Sequence, residues 1–279
     1  MKYAFTHGGR FHADDVFSAA LLTMLYPEIE IQRGFEIPED FDGIVFDIGF
    51  GKYDHHQQDR RVRENGVSYA AFGLLWEEYG TNFLKEEMAK KFDEKFIQPL
   101  DEADNTGCKN EIAEVIGSFN PGWNEELEPD TCFEEAKQVA IQILKRKFAY
   151  LRGEEEAECI VAEAIKKVTD HILVLEQFVP WKKQVAGTEI DFVIYPSKRG
   201  GYNAQAVPIS EENPELKYRF PEEWGGKDAE ELQKLSGIAT LTFCHNSGFL
   251  IATQTFEDAK LACKMAKDKI RIVCKSKES

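Results

Sequence analysis

Short apolar runs alternate with polar turns through the first third of the chain. Tyr3-Ala4-Phe5 leads into Gly8-Gly9, which predicts a buried strand followed by a loop. Val16 to Leu25 predicts a helix, with Asp14 or Asp15 placed to cap it and Pro27 to stop it. Glu28 to Gln32 alternates like a strand, and Gly43-Ile-Val-Phe-Asp47 predicts a more apolar strand ending in an acid. Tyr69 to Tyr79 predicts a helix with Phe72, Leu75 and Trp76 on its apolar face. Phe83 to about Ala103 predicts a long helix that Pro99 should kink or divide.

Residues 111 to about 179 predict helices, broken at Asn120-Pro-Gly-Trp123, with Cys132–Leu151 and Glu154–Leu175 as an antiparallel pair. The tail changes character. Strands are expected at 191–195, 203–207, 238–243 and 249–252, then a helix over 257–267 and a last strand over 270–274. The acidic stretch 213–230, with two prolines, reads as a surface loop. The fold class is α/β. The expected domains are an α/β metal-binding domain with a parallel-rich sheet (1–110), a helical connector (111–184) and a smaller α+β substrate-binding domain (185–279).

A hydrophobic fraction of 43% supplies a substantial core, and 30% charged residues keep the chain in the ordinary globular range. The formal net charge of −16 argues against nonspecific binding of duplex nucleic acid, which depends on neutralising many phosphates. It leaves room for a small phosphate ligand or a single-stranded end, since metal ions can supply local positive charge. The six cysteines form no Cys-x-x-Cys pair, so neither a zinc ribbon nor a disulfide framework is indicated. No signal peptide or membrane-spanning apolar stretch is evident, so a cytoplasmic setting away from membranes is expected.

The chemistry sits in three clusters: His7-Gly-Gly-Arg10-Phe-His12-Ala-Asp14-Asp15, then Asp47 with Asp54-His55-His56, then Asp101-Glu-Ala-Asp104. Each falls where an apolar run meets a turn, and in an open parallel sheet such turns gather at the carboxyl edge. Taken singly, each His or Asp reads as a solvated side chain or a helix cap; together they read as a metal site. Mixed His and Asp donors without cysteine suit Mn²⁺, with Mg²⁺, Fe²⁺, Co²⁺ or Zn²⁺ as alternatives. The donors are too many for one tetrahedral site and suggest two divalent ions clamping a phosphoryl centre. Asp47 is the candidate bridge. His7 and His12 come from the first loop, with Asp14 just beyond it. One of His55 and His56 is expected to bind metal and the other to face substrate. Asp101 and Asp104 share a helical face, and the choice between them stays open.

Arg10 lies between His7 and His12 and is the arginine expected nearest the ions, while Arg60, Arg61 and Arg63 form a second basic group. Two later turns are candidate substrate contacts. One is His245-Asn-Ser247-Gly248, where His245 could meet a phosphate or base, and the other is Lys198-Arg199-Gly-Gly. Either could equally be an ordinary hairpin turn. Trp224 or Tyr202 is expected to stack a base.

Asp54-His55-His56, with Asp47 before it and an acid after it, resembles the DHH phosphoesterase superfamily. Within or close to it, the His7/His12/Asp14 variant resembles the melanocyte-proliferating-gene family. Tyr53-Asp-His-His-Gln57, Asp101-Glu-Ala-Asp-Asn105, Tyr195-Pro196, Gln205-Ala-Val-Pro208, Ser236-Gly237 and His245-Asn-Ser-Gly-Phe249 carry the same resemblance. It spans residue 5 to about 262. The resemblance implies a C-terminal domain closing over a cleft and a Mn²⁺-dependent 3′–5′ exoribonuclease acting on short RNA or oligonucleotides. It assigns His7, His12, Asp14, Asp47, His55 and Asp104 to metal and His56, beside Asp54, to the scissile phosphate. His245 and Ser247 fall to substrate binding. Rival readings are a pyrophosphatase or small-nucleotide phosphatase, and a metal-binding regulator without turnover. A homodimer is the default oligomer.

Overall fold

Ala4 and Phe5 are buried in β1 (Tyr3–His7), the centre of a three-stranded sheet in this computed structural model. It describes the backbone of residues 2–275 and the side chains of 2–268. Helix α1 (Ala13–Leu25) crosses from β1 to β2 (Glu30–Gly34), and β3 (Ile44–Val45) pairs on the other side. All three strands are parallel. Val16, Phe17, Ala19, Ala20, Leu21 and Leu22 of α1 are all buried, as a helix with so broad an apolar surface requires. His7 ends β1 and Asp47 lies two residues beyond β3, so both stand at the carboxyl edge of the sheet.

The cap of α1 differs from expectation. His12 is the capping residue, with extended backbone, and its N–H donates to Asp15 Oδ1 at 2.9 Å. Asp14 and Asp15 lie inside the first turn, which turns both carboxylates inward.

Helices α2 (Ala71–Tyr79), α3 (Glu86–Phe92), α4 (Gln98–Thr106) and α5 (Glu111–Gly117) follow. A widened π turn, Asp93–Ile97, separates α3 from α4. Pro99 explains it: proline cannot donate to the carbonyl four residues back and its ring crowds that carbonyl, so the turn just before it expands.

Helix α6 (Pro129–Ile165) corrects the expected antiparallel pair; it runs unbroken for 37 residues. Gly153, which lies between the two expected helices, costs about 1 kcal/mol inside a helix, and without a proline or positive φ that does not end one. The chain divides into two units, Met1–Gly153 and Glu154–Ser279. The stretch 111–184 is shared between them. Phe133, Leu144 and Phe148 belong to the first core, whereas Ala157 and Val161 pack with Leu173, Trp181 and Val193 in the second.

The second unit holds β4 (Ile172–Val174), α7 (Lys182–Val185), β5 (Phe192–Pro196), β6 (Tyr202–Ala206), α8 (Ala229–Ser236), β7 (Leu241–Cys244), β8 (Leu250–Thr253) and α9 (Phe256–Lys275). Its sheet order is β4-β5-β6-β8-β7, with only β4 and β5 parallel. The strand expected over 270–274 is the last part of α9. No glycine or proline follows Lys267 to stop the helix, and propagation outweighs the β preference of Ile and Val. The 213–230 segment is more than a surface loop, because it buries Phe220 and Trp224 and includes Asp228, the cap of α8, and the first two residues of that helix. Among the described residues no helix is long and apolar enough to cross a membrane. The five cysteines with described side chains are free, while Cys274 lies outside those side chains.

Candidate metal centre

Three groups of side chains in the first unit bring donor atoms close enough to hold a cation. They are His7, Asp15 and Asp47; Asp47, His55 and His56; and His12, Asp14 and Asp104. Asp47 belongs to two of them. Its Oδ2 stands 3.2 Å from His7 Nε2 and its Oδ1 stands 3.1 Å from His55 Nε2. His55 Nε2 also faces Asp104 Oδ2 at 3.2 Å and Asp14 Oδ2 at 3.8 Å, while His7 Nε2 faces Asp15 Oδ2 at 3.1 Å. His12 Nδ1 lies 3.9 Å from Asp104 Oδ1.

Both inner imidazoles are held from behind. His7 Nδ1 donates to the Gly8 carbonyl at 3.1 Å, and His55 Nδ1 meets Asn105 Oδ1 at 3.3 Å. Each ring therefore turns Nε2 toward the carboxylates, as a metal ligand needs. The backbone contributes too. Asp47 has φ 54°, a left-handed conformation that Asp tolerates better than most residues, and its N–H donates to the Tyr53 carbonyl at 3.0 Å.

These residues fit divalent cations. Both oxygens of Asp14, with Asp15 Oδ2, Asp47 Oδ1 and His55 Nε2, are buried without a hydrogen-bond partner among the described residues. Several stand at ion-pair distance from one another, but not in hydrogen-bond alignment. Leaving that many polar atoms unmatched is costly, and a cation satisfies acids and neutral imidazoles together. The local acidity agrees. Burial and the neighbouring Asp47, Asp104 and Asp15 hold the Asp14 carboxyl well above the usual range. Burial also raises Asp15, against the pull of His7. Burial works to raise Asp47 as well, but His55 and His7 outweigh it and bring Asp47 down to about 2. Asp15 and Asp47 lift His7 to about 10. Burial lowers His55, yet Asp47 outweighs it and the net shift is upward.

Other expected residues take different places. Asp101 is fully buried but is held by Arg63, whose Nη2 donates to its Oδ2 at 2.7 Å, and it joins none of the three groups. Three residues on, Asp104 reaches the centre. Asp54 is buried and acts through its neighbours: Oδ1 accepts from His56 Nδ1 at 2.7 Å and Oδ2 from the Phe50 N–H at 2.6 Å. Arg10 is exposed, with no ion pair or hydrogen bond among the described residues. The second basic group is largely engaged. Arg61 pairs with Glu77, Arg63 with Asp93 and Asp101, and Arg60 donates to Asn105. The missed donor is Asp15, whose signal was the adjacency Asp14-Asp15. Successive helical residues point about 100° apart, so the two acids serve different histidines.

In the second unit, His245, Ser247 and Gly248 form the β7–β8 turn. His245 Nδ1 lies 2.9 Å from Ser247 Oγ, and Gly248 takes φ 66°. Arg199 does not join them. It sits in the β5–β6 turn, and the register Tyr202↔Thr253, Gln205↔Leu250 puts that turn at the opposite end of the strands. Trp224 is a core residue and so is not placed to stack a base, whereas Tyr202 is half-buried and packs edge-on against Phe256.

The chain as a whole is similar to known proteins. A MYG1 protein of Dictyostelium discoideum is 28% identical, over 92% of this chain and 93% of its own length. A MYG1 protein of Schizosaccharomyces pombe is 29% identical over 94% and 96%, and a MYG1 exonuclease of Homo sapiens is 27% identical over 91% and 82%. The profile of the MYG1 exonuclease family, described as an uncharacterised protein family (UPF0160), matches residues 3–270, and the chain belongs to that family.

Proposed function

We propose that this chain is a metal-dependent phosphodiester hydrolase of nuclease type. More finely, it is a 3′–5′ exoribonuclease of short RNA or oligonucleotides, working through two divalent ions, with Mn²⁺ the expected one. On this reading it stands within or beside the DHH phosphoesterases. One observation carries the proposal: two His/Asp groups share Asp47, one carboxylate oxygen toward each, and the buried acids around them lack partners. The name exonuclease on several relatives supports it.

Two divalent ions bound there supply charge neutralisation for the phosphoryl group and an acidified water. The chain's own residues do the rest. His7, Asp15, His12, Asp14, His55 and Asp104 hold the centre, and Asp47 ties its halves together. Asp54 accepts from His56 Nδ1, which leaves Nε2 as the atom that can hand a proton to the departing oxygen. In the second unit, the His245–Gly248 turn is assigned to substrate binding.

The test is turnover after metal stripping and reconstitution with Mn²⁺, Mg²⁺ or Zn²⁺, on 5′-labelled short RNA, short DNA and pyrophosphate. RNA shortened stepwise from the 3′ end, and absent from an Asp54/His55/His56 triple-alanine variant, is the expected result. Phosphate released only from pyrophosphate moves the assignment to small anions. No turnover with metal bound overturns the enzyme reading.

A further inference from the structure

Exposed aromatic rings are common singly, but here their placement is not scattered. The three most exposed large hydrophobic side chains among the described residues are Trp123 at 98%, Phe35 at 81% and Phe50 at 72%. Each is carried by a segment tied to one of the loops that supply the metal-binding histidines.

Phe35 follows Gly34, whose carbonyl accepts the Gly8 N–H at 2.7 Å, directly after His7. Its ring lies over Gly9, only 3.4 Å from where a Cβ on that glycine would stand. Phe50 is bound to the His55-His56 loop through Asp54. One oxygen of that carboxylate takes the Phe50 N–H and the other holds His56. Successive left-handed conformations at Gly49 (φ 85°) and Phe50 (φ 56°) turn the backbone outward there. Trp123 stands three residues from Asn120, within about 11 Å along the chain. The Asn120 amide grips the backbone of Phe11 in both directions, at 2.9 and 2.8 Å, next to His12. Phe35 and Trp123 thus flank the two ends of the His7–His12 loop, and Phe50 accompanies the His55-His56 loop.

We infer that Phe35, Phe50 and Trp123 are stacking platforms for the unpaired bases of a single-stranded nucleic acid whose backbone enters the metal centre. This rests on the hydrolase reading above. Charge decides how such an occupant is held. A chain of net charge −16 has little to offer many phosphates: Arg33, Arg61 and Arg63 are committed to Asp130, Glu77 and Asp93/Asp101, which leaves Arg10 and Arg60 as the arginines of the histidine loops without an ion pair among the described residues. Affinity must then come from contacts that ignore charge. Stacking on aromatic faces does so and tolerates any base, whereas a paired duplex hides its bases. The role given in the sequence to Trp224 passes to rings on the ligand loops.

The experiment measures binding of short fluorescein-labelled oligoadenylate and of an abasic oligomer of equal length, with Mn²⁺ present and in the His56→Ala background. Phe35→Ala, Phe50→Ala and Trp123→Ala are compared with that parent, and circular dichroism checks the fold. Each alanine is expected to weaken oligoadenylate binding by about fivefold or more while leaving the abasic oligomer within twofold, the size of effect that losing one base stack produces. Trp123→Phe should restore most of the loss. Equal losses on both oligomers, or no loss on either, overturns the platform. Loss of self-association in these variants with oligoadenylate binding unchanged also overturns it, in favour of a second copy of the chain. Turnover is read separately in the His56-containing protein. Absence of all hydrolysis there would overturn the hydrolase reading while the binding comparison still decides the platform.

Discussion

Asn105 Oδ1 faces His55 Nδ1 at 3.3 Å, behind the ring rather than in the centre. The Asn105 Nδ2 is already committed to the carbonyls of Tyr69 and Asp101, at 3.0 and 2.8 Å, so the oxygen is the atom left for the ring. A carbonyl oxygen can only accept. Nδ1 therefore carries a proton, and Nε2 is the ring atom left to take a cation that Asp47 and Asp104 would share. Asn105→Ala is expected to weaken divalent-metal binding by about 10- to 100-fold, as losing such a rear partner typically does, with Asn105→Asp retaining most of it. Calorimetric titration with Mn²⁺ decides, and an unchanged affinity would remove Asn105 from the account.

Asp47 serves both halves of the centre, so its loss should not be local. Asp47→Asn keeps the shape and tolerates the left-handed backbone at φ 54°, which separates loss of charge from loss of fold. Bound metal, counted by elemental analysis after purification in Mn²⁺, is expected to fall at both positions together. Retention of one full equivalent would mean that Asp47 does not bridge.

His56 and Asp54 divide differently. His56→Ala is expected to leave metal content near normal while lowering kcat by about 10²- to 10⁴-fold, the range for a lost proton donor. Asp54→Asn should reduce turnover less, because His56 remains but its Nδ1 partner is weakened. If His56→Ala retains full activity, its proton-transfer role is wrong.

The metal-free protein holds a proton that a metal must displace. Asp15 and Asp47 raise His7 from 6.5 to about 10. Stability drawn from these contacts is fully present below about pH 6.5 and is lost as pH rises through 10. A ligand nitrogen must be deprotonated, so Mn²⁺ binding near pH 7.5 should release a proton, and apparent affinity should climb with pH over that window. Titrations in two buffers of different ionisation enthalpy measure the proton directly. Equal apparent enthalpies would show that His7 gives up no proton.

The sequence marked the parts of the centre that depend on local pattern. His7 and Asp47 close apolar runs, and a run ending in a donor can be read without a structure. Asp15 could not be told from Asp14, because only the rotation of α1 and the cap at His12 decide which acid faces which histidine. Asp101 and Asp104 share a helical face. What separates them is Arg63, 38 residues away, holding the first and leaving the second free for the centre. The same limit applies to Trp224 and Trp123. One is buried and the other bare for tertiary reasons that no local window contains.

Gly73 tests how tightly α2 and α4 are matched. It lies buried in α2, and a Cβ there would stand 2.0 Å from Asp101 Oδ2 and 2.6 Å from Arg63 Nη2. Helix propensity alone favours Gly73→Ala by about 1 kcal/mol. Overpacking a well-filled site costs about 1–3 kcal/mol, and pushing a buried Arg–Asp pair apart adds to it, so destabilisation should win. The expected result is a lower urea midpoint with an unchanged slope. Asp104 is one turn along α4 from Asp101, so a displaced helix should also loosen the metal centre, seen as weaker Mn²⁺ binding in the folded variant. A Gly73→Ala protein more stable than its parent would mean that α4 can slide without cost, and that the Arg63–Asp101 pair does not fix the position of Asp104.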